Sequence, residues 1–176
     1  RRGPVDARNE HGNTALAVAA ALRDDGTATE LTTLLLDRGA SPSALSNGWT
    51  PMHWAAQQGN AAAIAAMAAW EGGRVVDARA AETGDTPLMV AAQAVDNGVT
   101  IHNPSSDTSC VDALIALGAN KALTNSDGLT ALGLYRSKCR SMDDFRSALT
   151  SEARRGTNPA IEATLLPPDG PTPADE

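Results

Sequence analysis

The sequence predicts an all-α solenoid, a row of helix-turn-helix units with projecting β-turn fingers. Two observations predict it. One heptapeptide pattern recurs as Thr14-Ala15-Leu16-Ala17-Val18-Ala19-Ala20, Thr50-Pro51-Met52-His53-Trp54-Ala55-Ala56, Thr86-Pro87-Leu88-Met89-Val90-Ala91-Ala92 and, more loosely, Thr130-Ala131-Leu132-Gly133-Leu134-Tyr135-Arg136. Its threonines are 36, 36 and 44 residues apart, a period that signals stacked repeats, which bury apolar surface between neighbours and need no single central core. In addition, a glycine stands two residues before each of these threonines, at Gly12, Gly48, Gly84 and Gly128, as a tight turn with positive φ demands.

Each unit begins with a polar turn: Asn9-Glu10-His11-Gly12-Asn13, Ser46-Asn47-Gly48-Trp49, Glu82-Thr83-Gly84-Asp85 and Ser126-Asp127-Gly128-Leu129. The threonine that follows suits a helix N-cap, because its hydroxyl can accept from an otherwise unpaired backbone N–H, and Pro51 and Pro87 suit the first helical position. Short alanine-rich first helices allow close stacking. Second helices are marked by Leu31, Leu34 and Leu35, by Ile64 and Met67, by Val111, Leu114 and Ile115, and in unit four by Phe145 and Leu149, at helical spacing. Gly39-Ala40, Gly72-Gly73 and Gly118-Ala119 fit left-handed C-terminal caps.

The order turn-Gly-x-Thr-Pro-Leu-His-x-Ala-Ala, then a second helix ending in Leu-x-x-Gly-Ala, resembles the ankyrin repeat. The run Gly48-Trp49-Thr50-Pro51-Met52-His53-Trp54-Ala55-Ala56-Gln57-Gln58-Gly59-Asn60 matches best. The resemblance covers about residues 6–150. It implies an array over 1–153 with repeats at about 6–40, 41–77, 78–122 and 123–153, followed by an extended, proline-containing tail over 154–176. Thr14 to Gly39 spans 25 residues and Thr86 to Gly118 spans 32, against the family's usual roughly 21. The extra residues fall around Arg23 to Ala28 and in a loop over about 96–108, between the two helices of their units. Unit four departs from the pattern, with Gly133 in the histidine position and Tyr135-Arg136 in place of paired alanines, as a polar capping repeat would.

Composition narrows the function classes. A net charge of −7 argues against general attraction to nucleic acid or anionic membrane, and Arg154-Arg155 is too short a basic spot to reverse that. The longest apolar run, Ala61 to Trp70, is ten residues and mostly alanine, short of the roughly 18 to 20 a membrane span needs; it reads as a helix packed on protein. Cys110 and Cys139, 29 residues apart, form neither a zinc spacing nor a disulfide framework and suit a reduced intracellular pair. The chain starts at Arg1 without methionine, which suggests processing or truncation, with any targeting segment lost. An intracellular protein is expected, cytoplasmic or organellar.

Catalytic signatures are missing. There is no Gly-x-Ser-x-Gly elbow and no phosphate-binding glycine loop. His11, His53 and His102 lie in different units without metal-ligand spacing. Asp143-Asp144 is better explained as a solvated face near a helix start than as an acid pair. No enzyme activity, cofactor or metal is expected. The resemblance implies that His53 hydrogen-bonds between neighbouring turns, while His11 and His102 are exposed turn or loop residues. Trp54 takes an inner apolar position of the first helix. Trp49, on the turn, is expected to be exposed, either as a binding anchor or packed on the next finger or under the tail.

In ankyrin arrays the partner commonly lies on the concave face of finger tips and first helices. Carried over, that face offers Glu10, His11 and Asn13; Asn47, Trp49, Gln57 and Gln58; Thr83, Asp85 and Gln93; and Asp127, Leu129 and Lys138. Each taken singly also fits a solvated turn. The set is polar with a few apolar anchors, suiting a partner with hydrogen-bond donors and some positive charge. The function expected is a non-enzymatic adaptor or scaffold binding another protein. Two alternatives stand beside it: a permanent structural subunit of a large multiprotein assembly, in the cytoplasm or an organelle, and the substrate-selecting ankyrin portion of a longer enzyme. The loop over 96–108 and the tail could add contacts.

Overall fold

A computed structural model of the chain describes residues 4–22, 26–70, 75–94, 108–138 and 159–166. The described secondary structure is helical, with isolated bridges Arg8–Thr14 and Ser46–Trp49 and no strand among the described residues. The helices are α1 (Ala15–Ala20), α2 (Thr27–Asp37), α3 (Pro51–Gln58), α4 (Ala61–Trp70), α5 (Pro87–Ala94), α6 (Ser109–Ala116), α7 over residues 131–138, and α8 (Pro159–Leu165).

They form two layers. The first helices pack in the row α1, α3, α5, and the second helices in the row α2, α4, α6, with each first helix also against the second helix of its own unit. Small residues permit this: Ala55 and Ala56 of α3 and Ala91 and Ala92 of α5 are buried, leaving room for Leu16, Met52, Leu88 and Met89 between the layers. Each such large side chain contributes about 1.5–3 kcal/mol by leaving water. In α4, Ala63, Ile64, Met67 and Ala68 are buried, so the ten-residue apolar run is a packed helix. No described helix is long and apolar enough to cross a membrane.

The local punctuation follows the sequence. Gly12, Gly48, Gly84 and Gly128 have φ of +76°, +80°, +68° and +76°. In unit two, Asn47 also has positive φ (51°), and Ser46 and Trp49 exchange backbone hydrogen bonds across the pair. Positive φ at both central residues is what a two-residue type I′ turn requires, which is why asparagine and glycine stand there. Hydroxyls of Thr14, Thr86 and Thr130 accept from the backbone N–H of Ala17, Met89 and Gly133 at 3.2, 3.4 and 3.1 Å. Gly39 and Gly118 end α2 and α6 with positive φ, and the next N–H bonds back to Leu35 and Leu114 carbonyls at 3.0 Å each.

Four expectations are corrected. The tail is not extended throughout: residues 159–165 form α8, with Ile161 and Leu165 fully buried in the common core and Lys121 Nζ donating to the Leu166 carbonyl at 3.3 Å. Its apolar residues recur at helical spacing, and they gain more by packing than by hydration. Tyr135 is fully buried, so unit four is not polar at that position. In α2, which Leu31, Leu34 and Leu35 marked in the sequence, Leu31 and Leu34 are 38% and 43% exposed, whereas Ile64 and Met67 of α4 are fully buried. Helix α4 packs against both α2 and α6; Leu31 and Leu34 of α2 instead line an open groove with Val18 and Leu22 of the first unit. The other two corrections, Trp49 and Asp85, belong to the site below. The expected loop over 96–108 lies outside the described residues except for Thr108, as do Gly72-Gly73, Phe145, Leu149, Cys139 and Arg23-Asp24-Asp25.

Candidate functional site

The fingers are tied to one another by backbone and side-chain hydrogen bonds. Asn47 Nδ2 donates to the His11 carbonyl and to Asn13 Oδ1, each at 3.1 Å. The Ala81 N–H donates to the Gly48 carbonyl at 2.8 Å, and the Ser126 N–H to the Thr83 carbonyl at 2.9 Å. Arg79 Nη1 donates to the Gly84 carbonyl of its own finger and to the Thr124 carbonyl of the next. In the first and fourth fingers an asparagine organises the turn: Asn9 Oδ1 accepts from His11 and Asn13, and Asn125 Oδ1 from Asp127 and Leu129, all at 3.0 Å.

His53 joins α3 to the third finger. Its Nδ1 lies 3.3 Å from the Thr50 N–H nitrogen and 2.7 Å from Thr50 Oγ1, and its Nε2 lies 2.9 Å from the Asp85 carbonyl oxygen. A backbone N–H only donates and a carbonyl only accepts, so one assignment satisfies all three contacts: neutral imidazole with the proton on Nε2. Burial lowers its pKa below the ordinary 6.5, against smaller opposing contributions from the Asp85 carbonyl and carboxylate. His53 thus welds two units together, as expected for the motif histidine. Residues 20–101 match the family model described as ankyrin repeats, in three copies. This stretch is an ankyrin-repeat array. No curated protein matches the chain.

Within this ankyrin array a cleft of about 260 Å³ opens between fingers and first helices, lined by Trp49, Gln57, Asp85, Val90, Gln93 and Ala94. Four residues expected on the binding face therefore meet in one place: Trp49, Gln57, Asp85 and Gln93. Two of them differ from expectation. Trp49 is half-buried, its ring 5.0 Å from Trp54 and 5.9 Å from His53 between centroids. The two-residue turn folds its indole back along α3, where it gains aromatic contact in place of hydration. Trp54 is itself half-buried and donates from Nε1 to the Ser46 carbonyl at 3.3 Å. Asp85 is only 8% exposed, and its Oδ1 accepts from Asn125 Nδ2 at 2.9 Å. It acts as a link between the third and fourth fingers.

The other nominated residues spread along the array. Glu10, His11, Asn47, Thr83 and Asp127 are exposed; Asn13, Gln58, Leu129 and Lys138 are half-buried. His11 Nε2 sits 3.6 Å from Glu10 Oε1, both largely in solvent, and Lys138 Nζ donates to the Gln93 carbonyl, joining α7 to α5. His102 lies outside the described residues. Among the described residues, no three or more His, Cys, Asp or Glu side chains are grouped to hold a metal ion.

Sequence reasoning missed the apolar end of the array. Val18 and Leu22, exposed by 45% and 41%, join Leu31, Leu34 and Leu35 around a groove of about 430 Å³. The available signal was positional: Val18, in the first unit, is 45% exposed, whereas Val90, at the same motif position in the third, is 5% exposed.

Proposed function

We propose that this chain is a non-enzymatic adaptor or scaffold that binds another protein across the face formed by its fingers and first helices. The observation that supports it most is the cleft in which finger residues Trp49 and Asp85 meet Gln57 of α3 and Gln93 of α5. Ankyrin repeats are generally protein-protein interaction modules, and a stacked array holds such side chains at fixed spacing, so docking costs little conformational entropy. On this reading Gln57 and Thr83 meet the partner directly, while Trp49 contributes one wall of a recess.

The test is affinity capture with the tagged chain, comparing wild type with Gln57→Arg and Thr83→Arg, two substitutions at exposed positions. Loss of the same partner in both variants, with unchanged circular dichroism, is the expected result. Full retention in both would move the interface off this face and favour a structural subunit held elsewhere.

A further inference from the structure

We infer that the cleft between Trp49 and Asp85 is a receptor for one arginine side chain presented by the partner protein. The inference rests on the binding face proposed above and names the chemistry that this face selects.

The decisive group is the Asp85 carboxylate. More than nine-tenths of the residue is buried, yet only one carboxylate oxygen is satisfied: Oδ1 takes Asn125 Nδ2, and Oδ2 accepts from no described residue. Nor is Oδ2 sealed away, since Thr32 Oγ1 is the one fully enclosed, unpartnered polar side-chain atom among the described residues. Among those residues no Lys or Arg pairs with this carboxylate either. His53, whose Nε2 donates to the Asp85 backbone carbonyl, supplies no charge to it: its contacts require the neutral tautomer, and burial lowers its pKa. A largely buried carboxylate with one open oxygen is a strong acceptor for a charged donor, because the low surrounding dielectric strengthens the attraction and few waters compete for the oxygen.

The other walls select the donor. Trp49 offers an indole to a cation, and the amides of Gln57 and Gln93 offer further acceptors. At about 260 Å³, the cleft lies below the roughly 300–1,000 Å³ of sites that hold whole small ligands, so it suits a single side chain. Planar guanidinium stacks on aromatic faces, carries five donors in a fixed fork and is less strongly hydrated than ammonium. Arginine therefore satisfies an aromatic wall, a carboxylate oxygen and amide carbonyls together, where lysine meets one acceptor as a point charge. The net charge of −7 favours approach of such a basic partner.

The experiment titrates the whole chain with N-acetyl-arginine amide, and in parallel with its citrulline and lysine counterparts, following the Trp49 indole N–H and the Gln57 and Gln93 side-chain amides by NMR. Citrulline keeps the shape and loses the charge. The expected result is saturable shifts at these three residues with the arginine probe, and at least about tenfold weaker binding of citrulline, as loss of a charge-assisted hydrogen bond implies. Asp85→Asn, which keeps an oxygen for Asn125, should weaken the arginine probe by a similar factor. Equal binding of arginine and citrulline, equal binding of arginine and lysine, or no shift at on the order of 50 mM probe would overturn the inference. Failure here with capture still lost in Gln57→Arg and Thr83→Arg would leave the adaptor reading standing without its arginine; retention of capture in both would remove that reading as well.

Discussion

His53 Nε2 donates to the backbone carbonyl of Asp85 at 2.9 Å, so a side chain on the third helix of the array fixes the position of the next finger. With Nδ1 accepting from the Thr50 N–H, the same ring also closes the start of its own helix. His53→Ala would leave a buried donor and a buried acceptor unpaired and open a cavity. The expected loss is about 2–4 kcal/mol in urea unfolding, larger than for substitution of the exposed His11.

The same residue gives stability a pH dependence of known sign. Burial lowers the pKa of folded His53 below 6.5, while the unfolded chain keeps the ordinary value. The unfolded state therefore binds more protons as pH falls through that value. His53's contribution is complete above about pH 6.5 and declines below it, down to the folded pKa. The midpoint of urea unfolding should fall between pH 7 and 5 in wild type, and fall less in His53→Gln. Equal slopes in both proteins would assign the pH dependence to other groups.

Much of the fold was legible because it depends on local chemistry. A glycine two residues before a threonine identifies a positive-φ turn leading into an N-cap, whatever surrounds it, and all four copies have that geometry. The candidate face was legible less completely. Asp85 and Asp127 look alike in sequence, each within a polar turn, yet Asp85 is 8% exposed and Asp127 is in solvent. The difference is made by Asn125 of the neighbouring finger, whose side-chain amide donates to the Asp85 carboxylate, whereas it meets Asp127 only through that residue's backbone N–H. Trp49 is similar: its turn was readable, but the direction of its indole depends on Trp54.

The asparagine that separates these aspartates has measurable weight. Asn125 spends Nδ2 on Asp85 and Oδ1 on two backbone N–H groups of its own turn. Asn125→Ala should cost about 2–3 kcal/mol, since it leaves a buried carboxylate oxygen and turn donors unpaired. Asp127→Ala should stay within about 0.5 kcal/mol. Comparable losses in the two variants would contradict the linkage between fingers described here.

Turn glycines are unequal in a way that separates backbone strain from crowding. Gly84 and Gly118 both have positive φ, +68° and +88°, but a Cβ on Gly84 would meet Ser126 Oγ at 3.1 Å and its backbone nitrogen at 3.3 Å, while one on Gly118 meets nothing within 4 Å. Gly118→Ala should therefore cost only the left-handed penalty, about 1–2 kcal/mol. Gly84→Ala should cost more, because the backbone of the next finger must also move. Thermal unfolding of both variants checks the order, and equal losses would mean that the fingers yield freely.

The last helix tests whether the tail belongs to the array. Ile161 and Leu165 lie on one side of α8, four residues apart, and both are fully buried. A segment that merely trailed from the array would lose nothing on their truncation. Packed as they are, Leu165→Ala should cost about 2–4 kcal/mol through lost burial and the cavity left behind, and Lys121→Ala much less, since its bond to the Leu166 carbonyl is only partly buried. Urea unfolding of Leu165→Ala, followed through near-ultraviolet circular dichroism, should show a single transition at lower midpoint. A midpoint unchanged from wild type would detach α8 from the core and return this segment to use as an arm for partners.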